Sequence, residues 1–174
     1  MSLIDHAALL AMLDYDPDTG VFVWRQRTDT SPQCNGIHAG KVAGCERTNA
    51  SGRKYWRIHI CGRTFLAHRL AFFWMVGCWP PHEVDHRDND GLNNKWLNLR
   101  PATTSQNGAN RGLQSNNTTG MKGVRPGSKL GRYRATININ RKQYHLGTYD
   151  SPEAAHEVYR KASVAAFGEY ARMK

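Results

Sequence analysis

Twice along this chain a stretch of strict two-residue alternation is turned back by two residues, and each time a helical pattern follows. In the first, Tyr55, Arg57 and His59 alternate with Trp56, Ile58 and Ile60, and Cys61-Gly62 turns the chain into Arg63–Ala67. Then His68–Cys78 places Leu70, Phe73, Trp74 and Gly77 at helical spacing, and Pro80-Pro81 forbids continuation. In the second, Tyr133, Ala135, Ile137 and Ile139 take one face while Arg132, Arg134, Thr136 and Asn138 take the other. Val124-Arg125 opens a short strand before it, and Asn140-Arg141 turns it into Lys142–Leu146. Asp150 or Ser151 caps the helix that follows, with Pro152 at or near its first position. Ala155, Val158, Tyr159, Ala162 and Ala166 form its stripe, and Gly168 ends it. This ordering predicts an α+β architecture in two small units, joined by the polar run Gln114–Gly120.

The first 53 residues carry less signal. A short helix over Asp5–Leu13 is stopped by a run of spaced aspartates, Asp14 to Gly20. It is no calcium loop: the glycine falls at the seventh position instead of the sixth, and Arg25 stands where the bidentate glutamate belongs. A turn into the strand Val21–Trp24 accounts for it. Residues 28–53 are rich in Gly, Ser, Thr and Asn and yield no pattern.

The formal charge of +10 is unevenly spread. Residues 1–110 hold 12 Lys/Arg against 10 Asp/Glu, and residues 111–174 hold 12 against 4. A basic last third fits a polyanion partner, because neutralising phosphates releases counterions. A membrane surface is not expected, since no large apolar face opposes those charges. The four cysteines (Cys34, Cys45, Cys61, Cys78) include no CxxC pair, so no structural zinc is expected. Reduced, mostly buried thiols are the expectation. With no membrane-length apolar run and no signal-peptide pattern, the chain is expected to work in a cytosol, that of a bacterial host if it is phage-encoded.

The chemistry-bearing segment is Val84-Asp85-His86, then Asn93-Asn94, Asn98-Leu99-Arg100, Asn107 and Asn110. Phosphodiester hydrolysis needs a hard cation on the phosphate, and the oxygens of Asp85 and Asn107 suit Mg²⁺. It also needs a base for water near neutral pH, and histidine is the side chain with the matching pKa. Neighbours on a strand point to opposite faces, so Asp85 and His86 can line one site only if the strand ends there. Asp88-Asn89-Asp90-Gly91 says that it does. A second strand is expected near Leu97–Arg100. Thr103 or Thr104 is then a fair cap for a helix presenting Asn107 and Asn110 on one face.

These residues resemble the HNH endonucleases of the phage and intron homing type. The Asp-His pair, an Asn thirteen residues after the Asp and an Asn twenty-two after it fall on Asp85-His86, Asn98 and Asn107. Ala67-His68-Arg69-Leu70-Ala71 matches the family's helix entry, and the likeness covers about 45 residues. It implies a ββα-metal fold, with Asp85 and Asn107 as metal ligands and His86 as general base. Asn98 would be a loop brace or an orienter of His86. Mg²⁺ is the implied cofactor, with Mn²⁺ or another divalent cation able to substitute. His68, Arg69, Asn94, Arg100 and Asn110 would be structural or phosphate-contacting.

From Gly120 onward the chain resembles an AP2 DNA-binding domain, through Gly123-Val124-Arg125, Tyr133-Arg134-Ala135, His145-Leu146-Gly147-Thr148-Tyr149-Asp150 and Glu153-Ala154-Ala155. That family lays its three-stranded sheet in the major groove of duplex DNA. The contacts the resemblance implies are Arg125, Arg134, Thr136, Asn138, Gln143 and His145; the strand alternation selects Arg132, Arg134, Thr136 and Asn138 independently, Arg141 is a further expected DNA contact, and Lys142 is expected on phosphate. Plant-type members carry tryptophan at the place of His145 and an acid at that of Thr136, so their target sequence does not carry over. The expected organisation is an N-terminal extension over 1–53 packing on the nuclease, the nuclease domain at 54–112, a linker at 113–122 and the AP2-like domain at 123–174. The partner is double-stranded DNA, with no obligatory protein partner. The rival reading is a non-catalytic, sequence-specific DNA-binding protein, such as a regulator or packaging accessory.

Overall fold

The computed structural model describes residues 4–114 and 116–172. Ser115, in the expected linker, and the outermost residues of the first and last segments lie outside the described residues. The chain divides into two compact units, Met1–Pro101 and Ala102–Lys174.

In the first unit, helix α1 (His6–Met12) begins where the Asp5 carboxylate accepts the Ala8 N–H at 2.7 Å. Strands β1 (Leu13–Asp16) and β2 (Val21–Trp24) pair as an antiparallel hairpin, Leu13 opposite Trp24 and Asp16 opposite Val21. The strand β1 occupies residues that the sequence reading gave to the helix end and the turn. Helix α2 (Pro32–His38) and strand β3 (Cys45–Thr48) occupy the stretch that had no readable pattern. Strand β3 adds to the expected hairpin β4 (Lys54–Ile60) and β5 (Arg63–Leu66), giving the order β3-β4-β5. Cys61 and Gly62 turn it with φ of 50° and 70°, the backbone that a tight hairpin needs.

Helix α3 (Ala67–Val76) stops earlier than expected because Gly77 adopts the left-handed conformation, φ 80°. Strands β6 (Glu83–His86) and β7 (Leu99–Ala102) form a two-stranded sheet, with a short 3-10 turn at Trp96–Asn98. Leu9, Leu13 and Phe22 share one core with Ile58, Leu70, Phe73, Val84 and Leu99. The N-terminal segment and the motif-bearing elements are therefore built on common apolar packing.

In the second unit, α4 (Thr104–Asn110) is closed by a capping box in which Thr103 and Gln106 satisfy each other's backbone. Strands β8 (Val124–Pro126), β9 (Tyr133–Ile139) and β10 (Lys142–Tyr149) form an antiparallel sheet in the order β10-β9-β8. Helix α5 (Pro152–Phe167), capped by Ser151, buries Ala155, Tyr159 and Phe167. Gly123 is required by contact as well as by its φ of 76°, since a Cβ there would stand 2.0 Å from the Tyr159 ring.

The division at 101/102 falls earlier than the linker read from sequence at 113–122. Ala109 of α4 lies in one core with Ile137, Tyr159 and Phe167. The Ser105 hydroxyl accepts the Asn140 N–H at 3.0 Å, and Lys122 Nζ donates to the carbonyls of Ala109 and of Arg111, the latter at 2.7 Å. A seven-residue helix is marginal alone, and these contacts are what holds it.

The thiols correct another expectation. All four cysteines are free, but Cys45, Cys61 and Cys78 are exposed and Cys34 is only half-buried. They sit on an edge strand, in a hairpin turn, just past a helix end and on a surface helix, where no apolar layer covers them. Among the described residues no helix is long and apolar enough to cross a membrane.

Candidate active site

Asp85 and His86 end β6, and both are buried. The strand stops there because the next residues turn: Asn89 N–H donates to the His86 carbonyl at 2.9 Å, with Asn89 at φ 68°. The turn is held by local side chains. Asp88 accepts from the Asp90 N–H at 2.9 Å and from the Asn93 amide at 2.6 Å. Asn98 clasps the same loop, donating to Asp88 Oδ1 at 2.9 Å and to the Asn93 carbonyl at 2.7 Å. Its own carbonyl oxygen Oδ1 accepts the Asp88 N–H at 3.1 Å. These three bonds tie Asn98 to both ends of the loop.

The residue that meets the imidazole is Asn94. Its Oδ1 lies 3.2 Å from His86 Nε2, and its Nδ2 donates to the Leu92 carbonyl at 3.1 Å. The second bond sets the amide's orientation, so that the atom facing His86 is an acceptor. An acceptor at that place matches a ring protonated on Nε2. Burial, the largest influence, holds the His86 pKa below the ordinary histidine value, partly opposed by the Asn94 hydrogen bond and nearby carboxylates. A neutral ring at neutral pH is the form a base requires.

His68 stands against His86, the rings edge to face with centroids 4.7 Å apart, and Tyr55 lies 6.4 Å from His86. Burial, then the neighbouring His86 and Arg69, lowers the His68 pKa to about 3. Its Nδ1 is buried without a hydrogen-bond partner among the described residues. His68 is thus a neutral wall of the site. Arg69 points elsewhere, donating to the His82 carbonyl at 2.9 Å.

Asp85 is held by Arg100, whose Nε and Nη2 lie 3.0 Å and 2.9 Å from Oδ2, both side chains being about 5% exposed or less. A carboxylate is the hard anionic oxygen donor that a divalent cation takes. Among the described residues no group of three or more His, Cys, Asp and Glu gathers, so a soft-ligand or all-carboxylate cage does not fit this chain. The hard-oxygen donors that the motif supplies are the Asp85 carboxylate and the Asn107 amide. Asn107, half-buried, and Asn110, buried, stand on α4 of the second unit.

The second unit presents a separate polar face. Arg125 is opposite Arg134, Thr136 opposite His145, and Asn138 opposite Gln143, while Ala135 and Ile137 are buried under α5. None of those face residues is acidic, and Arg125 and Arg134 make no ion pair among the described residues. Arg132 differs: its guanidinium is engaged by Asp150 and by the Thr148 carbonyl. Arg141 and Lys142 are exposed at the hairpin end. Sequence reasoning missed the Asn94–His86 bond, the Arg100–Asp85 pair and Lys122. Asn94 and Arg100 were flagged by motif, but nothing local marks Lys122.

Residues 65–109 match the family model described as HNH endonuclease. An uncharacterized HNH endonuclease of Acanthamoeba polyphaga mimivirus is 36% identical over 106 residues, which is 60% of this chain and 54% of that protein. Protein 3.8 of Escherichia phage T7 is 30% identical over 91 residues, 52% of this chain and 74% of that protein. The chain thus spans about half the length of the mimivirus relative and most of the phage one. A solved structure, of DNA binding and cleavage by the HNH homing endonuclease I-HmuI, is similar at 23% identity and a TM-score of 0.41. That likeness covers 63% of this chain and 57% of that one, too loosely to bear on the assignment.

Proposed function

This chain contains an HNH endonuclease domain, and from that premise we propose that it hydrolyses phosphodiester bonds of duplex DNA with one divalent cation, Mg²⁺ or a substitute such as Mn²⁺. The observation that carries this is the pairing of two buried groups at the end of β6. Asp85 is a buried carboxylate anchored by Arg100, and beside it the buried His86 ring meets Asn94 Oδ1 at 3.2 Å from Nε2.

Asp85 and Asn107 are the side chains that would hold the cation, each offering a hard oxygen. The chemistry it would supply there is neutralisation of charge on the scissile phosphate and on the departing oxygen. His86 takes the proton of the attacking water at Nδ1, its ring fixed by Asn94 on one side and His68 on the other. Arg100 orients the Asp85 carboxylate and Asn98 keeps the loop closed. The buried neighbours keep His86 neutral and ready to accept.

The second unit reads the substrate in the manner of an AP2 domain. Arg125, Arg134, Thr136, Asn138, Gln143 and His145 present base-reading donors and acceptors on one acid-free face. Arg141 and Lys142 meet phosphate, and Arg132 joins them from the edge once DNA competes with Asp150. One site per chain makes a single-strand nick the product of one encounter, as in a phage or mobile-element nicking enzyme. Supercoiled plasmid incubated with the full chain and Mg²⁺ should relax to the nicked form, and chelation should stop it. Tight duplex binding with no cleavage under any divalent cation would favour the rival reading, a non-catalytic DNA-binding protein.

A further inference from the structure

The site rests on a part of the chain that lies outside the motif. Tyr15, in β1, donates its hydroxyl to the Asn94 carbonyl at 2.6 Å, a buried bond across 79 residues of sequence. Its ring is held by Phe22, centroids 4.7 Å apart, and by Trp74 at 5.8 Å. The turn of the same hairpin presses on the same peptide. Gly20 has φ 77°, and a Cβ on it would stand 2.4 Å from the Asn94 carbonyl carbon and 2.5 Å from Lys95 N. Pro17 adds a third contact, accepting the Trp96 N–H at 2.9 Å. One hairpin therefore grips three consecutive residues, 94 to 96.

The grip matters because of what Asn94 does next. Its side chain reaches His86 Nε2 at 3.2 Å, while the loop before it is exposed over Asp88–Asp90, half-buried over Gly91–Asn93 and closed by local turns. A backbone set from such a loop alone would drift, and the Asn94 amide with it. Burial raises the Tyr15 hydroxyl well above its ordinary pKa, so it stays a donor at any working pH.

We propose that the β1–β2 hairpin is a positioning element of the nuclease site, Tyr15 acting through the Asn94 backbone to hold His86 with its proton on Nε2. The proposal rests on the nuclease reading above, since it gives His86 the role of base. Tyr15 touches neither metal nor DNA in this scheme.

The test uses the full-length chain with Tyr15→Phe, Asn94→Ala and the double variant. Tyr15→Phe should slow single-turnover cleavage roughly five- to tenfold, the scale of one net hydrogen bond, with duplex affinity unchanged. In the Asn94→Ala background the same substitution should cost nothing more, because the route to His86 is already cut. Imidazole ¹⁵N shifts give a readout without cleavage. Wild type should show one tautomer, protonated on Nε2, and Tyr15→Phe a mixture. Gly20→Ala, which displaces Asn94 by contact instead of by a lost bond, should give the same signature. Wild-type cleavage and an unmixed tautomer in Tyr15→Phe, or an equal loss in both backgrounds, overturns the brace. If Tyr15→Phe and Gly20→Ala both unfold the chain, the hairpin is structural only and the proposal is again overturned. A wild-type chain that never cuts fails the nuclease reading, while the tautomer still decides the brace.

Discussion

Asp85 and Arg100 form a buried ion pair in which Nε and Nη2 approach the Oδ2 oxygen at 3.0 Å and 2.9 Å. An ion pair out of water is costly to break from one side, because the remaining charge is stranded. Arg100→Leu should therefore destabilise the metal-free chain by about 3 kcal/mol. Divalent cation should restore part of the loss, by taking over the carboxylate. Thermal melts with and without Mg²⁺ check this, and a variant that melts like wild type in both would remove Arg100 from the site.

The metal ligands are tested by titration. Asp85→Ala and Asn107→Ala should each shift the Mg²⁺ or Mn²⁺ dependence of any residual cleavage to higher concentration. An unaltered midpoint in either would mean that residue holds no metal.

Acid should act on the chain in two ways. Cleavage needs neutral His86, and burial lowers its pKa, so the acid limb of the rate profile should lie below the ordinary value near 6.5. Stability is affected by His68, lowered to about 3. Between those two values the unfolded chain binds a proton that the folded chain refuses, so stability falls as pH falls through that window and is full above it. The slope approaches about 1.4 kcal/mol per pH unit for one such group. Denaturant melts from pH 7 to 4 should show it. His68→Phe should flatten the slope, and an unchanged slope would contradict the assignment.

At the tip of the β9–β10 hairpin, Asn140 and Arg141 both have positive φ, 51° and 65°. Glycine is the residue such a turn prefers at its second position. Arg141→Gly should stabilise the second unit by about 0.5–1 kcal/mol. It should also flatten the log–log salt slope of duplex binding by about 0.9 if Arg141 meets a phosphate. A binding isotherm series in salt separates the two effects, and an unchanged slope would take Arg141 off the DNA.

The sequence reading would cut the chain near Arg111, but α4 packs in the second unit through Ala109, Ser105 and Lys122. A fragment over 102–174 should accordingly melt higher than one over 112–174, which loses Ala109 from the core around Tyr159 and Phe167. Equal melting temperatures would show that α4 contributes nothing to that core.

What was legible in the sequence was local. Alternation marks β4 and β9, and the two-residue turns lie at Cys61-Gly62 and Asn140-Arg141. Thr103 and Ser151 cap as their chemistry suggests, and the Asp85-His86 pair marks a strand end. What escaped depends on distant partners. Strand β3 carries four exposed residues and so has no periodic signal, yet it pairs with β4 along its whole length. Tyr15 reads as a turn residue until its hydroxyl is seen on Asn94. The allegiance of α4 is decided by Lys122 and Tyr159, far beyond its own seven residues.

The account stands on His86 as the base, and one comparison tests that most directly. Wild type and His86→Ala are compared in single-turnover cleavage of bound duplex with Mg²⁺ at neutral pH, alongside their duplex affinities. The account predicts equal affinity and a cleavage rate lower by roughly 10²–10⁴-fold in the variant. A His86→Ala chain that cuts at the wild-type rate would contradict it.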